Sequence, residues 1–300
     1  MDYNYYILFW VCIFGLCLGS FYNVVIIRSL KDESIIFPPS KCPKCGNKLL
    51  WWHNIPILSY ILLRGKCYFC KEKISLQYPI IEFITMILFA GTYWKFGLTM
   101  KALFVVFWLS SLLIMTMTDL KEKIVDCNIA IAIAISGIIY NCITSGLNGL
   151  ILSVLGLLTG VIILEAIARL GYLFIKSRAM GEADSYVAGA LGAIFGYKLI
   201  LPVLLYSFFA SMIFIIPTFL YQRFKAYDKK TCIFSILFIL SILLFKTVSG
   251  NIITLICMAV IGLLLCTSII KGMKQEQNLN YLPFVPALSV GAILGIILIL

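Results

Sequence analysis

A chain of 300 residues that is 62% hydrophobic and 12% charged falls outside the range of soluble domains, in which about a quarter of residues carry charge. Its formal charge of +11 does not point to a nucleic-acid partner, because Lys and Arg gather in the cytoplasmic loops of polytopic membrane proteins. The composition predicts an all-α, multi-pass protein with lipid as its surroundings. In chain order, apolar runs long enough to approach the roughly 20 residues of a spanning helix cover 5–27, 79–94, 102–118, 128–143, 149–170, 184–197, 199–221, 231–248, 251–270 and 284–300. About eight to ten transmembrane helices are therefore predicted. The first run has no small-residue cleavage pattern and is followed by many more spans, so it is read as a retained helix.

Charge placement predicts the orientation. With the N-terminus outside, the inward loops hold twenty of the twenty-four Lys and Arg residues, leaving Lys95, Lys101, Lys198 and Lys246 on the other side. The chain divides into a first helix at 1–27, a cytoplasmic cysteine loop at 28–78 and a membrane-embedded region at 79–300.

The loop is the one shift in composition. It carries nine Lys/Arg, Trp51, Trp52 and the helix-breaking Pro38, Pro39, Pro43 and Pro56. Cys42-Pro43-Lys44-Cys45 and Cys67-Tyr68-Phe69-Cys70 form two CxxC pairs separated by twenty-one residues, close to the spacing of four-thiolate zinc sites. Each CxxC turn points two sulfurs into one concavity, and a loop with little core of its own can fold around the metal that joins them. Gly46 follows Cys45 where a tight turn is needed. Disulfides and redox thiols are the competing readings, and a reducing cytoplasm disfavours stable disulfides. The other seven cysteines fall within or at the ends of apolar runs and read as packing residues. His53 is the only histidine, which excludes an HExxH zinc protease and receives no role.

Carboxylates remain as catalytic candidates. Acids within or at the edge of a membrane are costly and point to function. Asp119 follows Met115-Thr116-Met117-Thr118, and Asp184 follows Met180-Gly181-Glu182-Ala183; the topology puts both at cytoplasmic helix ends. Two carboxyls that share one proton supply an acid and a base for peptide hydrolysis without a metal. Solvated helix caps are the bland alternative, and Glu122, Asp126, Glu165 and Glu182 are rival acids. A proton-conducting transporter would also use such acids, but no repeat symmetry supports one.

Several stretches carry a resemblance. Gly19 to Arg28, Cys42 to Cys45, Trp52-His53-Asn54-Ile55-Pro56-Ile57-Leu58-Ser59-Tyr60, Leu63 to Cys67 and Tyr78-Pro79-Ile80-Ile81-Glu82 resemble the N-terminal half of bifunctional prepilin peptidases. Asp119-Leu120, Gly181-Glu182-Ala183-Asp184, Ala190-Leu191-Gly192-Ala193 and Pro283-Phe284-Val285-Pro286 resemble that family's membrane half. The resemblance implies aspartyl cleavage after a leader glycine in prepilin or pseudopilin precursors, with Asp119 and Asp184 catalytic. It also implies N-methylation from S-adenosylmethionine in the cysteine loop, in a cell inner (plasma) membrane. Ala183 replaces the second glycine of the family's Gly-x-Gly-Asp, Tyr186 a lysine, Asp126 a proline and Val285 a glycine. A catalytically weakened homologue acting mainly as the methyltransferase is the reading that Ala183 leaves open.

Overall fold

A computed structural model describes residues 3–31, 33–175, 181–225, 233 and 284–298; this part of the chain is mostly helical, with two isolated β-bridges and no strands. The helices are α1 Tyr3–Ser29, α2 Leu58–Leu62, α3 Gln77–Phe96, α4 Met100–Glu122, α5 Cys127–Ile175, α6 Glu182–Lys225 and α7 Val285–Leu298, with a 3₁₀ turn at Trp51–Asn54. Four of them are long and apolar enough to cross a membrane, over Asn4–Ser29, Met100–Glu122, Cys127–Leu170 and Glu182–Ser211. Apart from Ile233, the expected spans 231–248 and 251–270 lie outside the described residues, as do Met180, Pro283, Cys232, Cys257 and Cys266.

The two longest helices are hairpins. At 1.5 Å per residue, unbroken rods of their length would reach roughly 65–75 Å, more than twice the hydrocarbon thickness of about 30 Å. α5 breaks at Gly146 (φ 58°, ψ −140°) and α6 at Gly196 (φ 74°, ψ 168°), conformations open mainly to glycine. The break at Gly146 falls in the gap expected between spans 128–143 and 149–170, and the break at Gly196 comes two residues before the junction expected between 184–197 and 199–221. Across the α5 break, Asn141 Nδ2 donates to Ser153 Oγ at 2.7 Å; in a straight helix these residues would be about 18 Å apart. The break in α6 removes helical donors from its preceding carbonyls, which in lipid need other partners. Asn141 donates to the Ala193 and Ile194 carbonyls at 3.0 Å each, and the Ser153 hydroxyl to Ala193 at 2.9 Å.

Small residues set the spacing of the rods. A Cβ on Gly19 would stand 2.7 Å from the Cα of Glu82, and one on Gly15 3.0 Å from the Cα of Met86. α1 and α3 therefore run antiparallel with their backbones in contact, and Asn23 continues the register by donating to the Tyr78 carbonyl at 3.1 Å. In the second rod of α5, Gly156 lies against Gly192 and Gly196, and Gly160 against Ala188 and Gly189, a small-residue face of the kind that lets helices approach closely in lipid. α7 fits against α6 from Phe284, whose ring centroid is 5.4 Å from that of Phe208, to Gly295 beside Val203 and Phe195. Its C-terminal carbonyls at Ile296 and Ile297 accept from Lys95 Nζ at 2.6 Å each, a cation at the negative end of a helix.

The glycine contacts give a direct test. Gly156→Val should destabilise the protein by about 1–3 kcal/mol or more, since the facing backbone has to move. Gly91→Ala, at a helical glycine facing open space, should be neutral or slightly stabilising. Thermal unfolding of both variants in one detergent checks this, and equal effects would count against close approach as the reason for glycine.

Candidate functional site

The cysteine loop is built from two copies of one turn. Cys42 and Cys67 each begin a CxxC whose fifth residue, Gly46 (φ 73°) or Lys71 (φ 58°), is left-handed. That residue's N–H returns to the first cysteine's carbonyl, at 2.9 Å for Gly46 and 3.0 Å for Lys71. The bridges Lys41–Lys48 and Lys66–Lys73 close both copies. This local repeat escapes sequence reading because a glycine in one copy corresponds to a lysine in the other.

The four sulfurs of Cys42, Cys45, Cys67 and Cys70 lie within 4.8 Å of one another, with Cys42 and Cys70 3.9 Å apart. Metal–sulfur bonds of about 2.3 Å in a tetrahedron put sulfurs roughly 3.8 Å apart, so the donor set fits a metal ion. The Cys70 amide, followed by further hydrogen bonds that outweigh burial, draws the Cys67 thiol down to about 7. Cys70 is pushed up to about 11: the Glu72 amide favours its thiolate, but burial and the neighbouring thiols together prevail. Coupled thiols of this kind suit a site where a metal displaces the protons.

The loop is tied to the helices by residues that sequence reading quotes without a role. Arg28 sends Nη1 to the Ser34 and Ile35 carbonyls at 2.8 and 3.0 Å, and Nη2 to Pro38. Glu82, 6% exposed, accepts from the Ile57 N–H at 2.7 Å. Ile57 (φ 58°, ψ −48°) is the centre of a positive-φ γ-turn closed by the Leu58 N–H on the Pro56 carbonyl, a strained conformation for a β-branched residue. A glutamate near the start of an apolar span was the available signal for this site. His53 is also buried, stacked among Trp52, Tyr68 and Phe69, and its Nδ1 accepts from the Leu50 N–H at 3.1 Å.

Among the described carboxylates only Glu82, Asp119 and Asp184 are buried. Asp119, 2% exposed, sits in the last turn of α4, and its Oδ2 accepts from the Val285 N–H at 3.1 Å, where α7 begins. Asp184, 3% exposed, sits in the first turn of α6 with Oδ2 on the Gly181 N–H at 3.0 Å. Of the rival acids, Glu122 and Glu182 are exposed. Asp126 accepts from the Asn128 N–H at 2.8 Å as α5 begins, and Glu165 pairs with Arg169 at 3.0 Å. Ala183 lies within the first turn of α6 and is absent from the positive-φ residues, so its methyl group meets no left-handed constraint.

The packing puts both aspartates at one end of the bundle. Gly160 meets Ala188 while Gly156 meets Gly192 and Gly196, so the first rod of α6 points its N-terminus away from the Gly196 turn. The second rod returns to Phe208 beside Phe284, next to the Val285–Asp119 contact. The cysteine loop is at this end too. Ile26 closing α1, Ile81 opening α3 and Ile114 late in α4 share one buried cluster, with Met117 and Ile129 packed against it.

Residues 13–96 match the family described as the bacterial peptidase A24 N-terminal domain, and residues 104–216 match the type IV leader peptidase family. The prepilin leader peptidase/N-methyltransferase of Myxococcus xanthus is 35% identical over 200 residues, 67% of this chain and 58% of that protein. The match thus spans less than two thirds of that relative. The protein of the same name from Neisseria gonorrhoeae is 34% identical over 221 residues, 65% of this chain and 76% of its own length. That from Vibrio cholerae is 50% identical over 102 residues, 31% of this chain and 40% of that protein. No solved structure matches. These matches, with the helical bundle and the four-thiol loop, make the chain a member of the type IV leader peptidase family.

Proposed function

We propose that this chain is a multi-pass inner-membrane aspartyl endopeptidase that removes the leader of type IV prepilins or pseudopilins at the cytoplasmic face, after glycine. It then methylates the new N-terminus from S-adenosylmethionine. Asp119 and Asp184 form the peptidase dyad of the region 79–300, and the loop 28–78 carries methyl transfer. Cys42, Cys45, Cys67 and Cys70 hold a structural zinc ion that keeps the loop folded. The observation carrying the reading is the burial of Asp119 and Asp184 at the end of the bundle that also bears the thiol loop.

In this mechanism one carboxylate takes a proton from water and the other, protonated, gives its proton to the departing amine. Two carboxyls in one poorly solvated site resist double ionisation, which divides the roles. A precursor with its basic leader inside and its apolar helix in lipid presents the bond at the interface. A glycine before the cut lets the chain approach two helix-borne carboxyls. The amine released has a pKa near 8, so part of it is neutral and nucleophilic at cytoplasmic pH.

Asp119→Asn and Asp184→Asn should each lower leader removal by about a hundredfold or more with insertion intact, while Glu182→Gln stays within a few-fold of wild type. Cleavage of a prepilin from the same genome, followed by gel and mass, measures this; normal processing by either Asn variant would remove the dyad.

Elemental analysis of the purified protein should find one zinc per chain, lost in Cys67→Ser, with part of the leader removal surviving. A metal-free, folded wild type with four titratable loop thiols would refute the metal.

Mass spectrometry of the mature product should show one added CH₂ only when S-adenosylmethionine is supplied. A substrate with a bulky residue in place of the glycine should stay uncut. Unchanged processing of that substrate would contradict the proposed specificity, and cleavage without methylation would confine the enzyme to its peptidase half.

A further inference from the structure

Between α1, α3 and the cysteine loop lies a cavity of about 580 Å³, within the roughly 300–1,000 Å³ typical of small-molecule sites. Its wall includes Tyr60, Tyr68 and Tyr78, the basic residues Arg28 and Lys31, and the carboxylate of Glu82. The partners of Glu82 are neutral: the Ile57 N–H at 2.7 Å and the Ser20 hydroxyl. Among the described residues no cation pairs with Glu82, so it is a buried acid without a protein cation. Buried charges are otherwise paired, because removing one from water costs several kcal/mol.

His53 in the same wall is a second group lacking a partner. Its Nδ1 accepts from a backbone N–H, so in the neutral ring Nε2 bears the hydrogen, and this buried donor has no acceptor. The strained Ile57 turn adjoins Glu82, and strain of this kind concentrates at ligand sites. The cavity thus offers a buried carboxylate without a protein cation, aromatic faces and basic side chains. These suit a ligand with a fixed positive charge, an aromatic part and a carboxylate.

We infer that this cavity binds the methyl donor, with the Glu82 carboxylate facing its sulfonium; this rests on the methyl-transfer reading above. The tyrosine faces add attraction for the cation, and the basic side chains suit the donor's carboxylate. In the transfer, the neutral amine's lone pair forms the N–CH₃ bond while the S–CH₃ bond breaks and its electron pair moves onto sulfur. The methylated ammonium gives its proton to water, and the sulfonium becomes a neutral thioether. Glu82 therefore holds the donor and loses its grip on the spent by-product.

The test uses zinc-loaded, full-length protein in detergent and compares binding of S-adenosylmethionine with S-adenosylhomocysteine, which lacks the charge on sulfur. Wild type should favour the charged ligand by about tenfold, the scale of one charge-assisted contact. Glu82→Gln should bring the two affinities together, with zinc content and leader removal unchanged, and Glu82→Asp should restore part of the preference. Ser59→Trp, which narrows the cavity from the loop, should weaken both ligands. A preference unaltered by Glu82→Gln, in a protein whose wild type still methylates, would overturn the inference and leave methyl transfer standing. Loss of zinc and leader removal together in Glu82→Gln would make Glu82 part of the scaffold and also overturn it. A wild type that cleaves pilin but binds neither ligand would bring down the methyl-transfer reading and this inference with it.

Discussion

Backbone contact between helices at glycine is the constraint on which the rest of this structure depends. Lipid tails are as apolar as the rods, so burial from water gives little drive for one rod to choose another, and close packing has to supply it. Gly19 against the Cα of Glu82 fixes the register of α1 on α3. That register sets Asn23 opposite the Tyr78 carbonyl and Glu82 beneath Ile57. The seat of the cysteine loop is therefore a consequence of a missing side chain.

The same economy governs the broken helices. A 49-residue helix cannot remain straight in a bilayer, yet breaking it frees carbonyls that lipid cannot satisfy. Asn141 and Ser153 meet this demand for the last turn of the first rod of α6, and the same two side chains clamp the α5 hairpin. Asp119 plays a related part where two helix ends meet. Its carboxylate takes the Val285 N–H, one of the amides that the start of α7 cannot satisfy internally. An acid proposed for catalysis is thereby held by a helix that begins 166 residues later.

Two different kinds of structure share one end of the bundle. The loop has almost no core and relies on its thiol cluster and the Arg28 fork, whereas the bundle relies on side-chain interdigitation. The cluster around Ile26, Ile81 and Ile114 joins them. In the proposed reaction a pilin-like substrate would pass from one site to the other at the same end of the bundle, which suits cleavage followed by modification of the same N-terminus.

The sequence by itself determined the apolar, multi-pass character, the helical class, the two helical hairpins and the candidate residues for the site. Those properties follow from local patterns: apolar length, glycine between apolar runs, CxxC spacing and acids at the ends of apolar runs. Apart from the family resemblance, residue pattern could not rank the acids. Asp126 and Glu182 look as favourable as Asp119 and Asp184 in one dimension, and only packing buries the latter pair while leaving the former exposed. Nor could it show the repeated turn in the loop, in which Lys71 adopts the left-handed geometry of Gly46. The surroundings of Glu82 were equally hidden, since the Ile57 amide and the cavity wall come from segments far apart along the chain. Burial and hydrogen-bond partnership are properties of that convergence, so tertiary structure alone decided them.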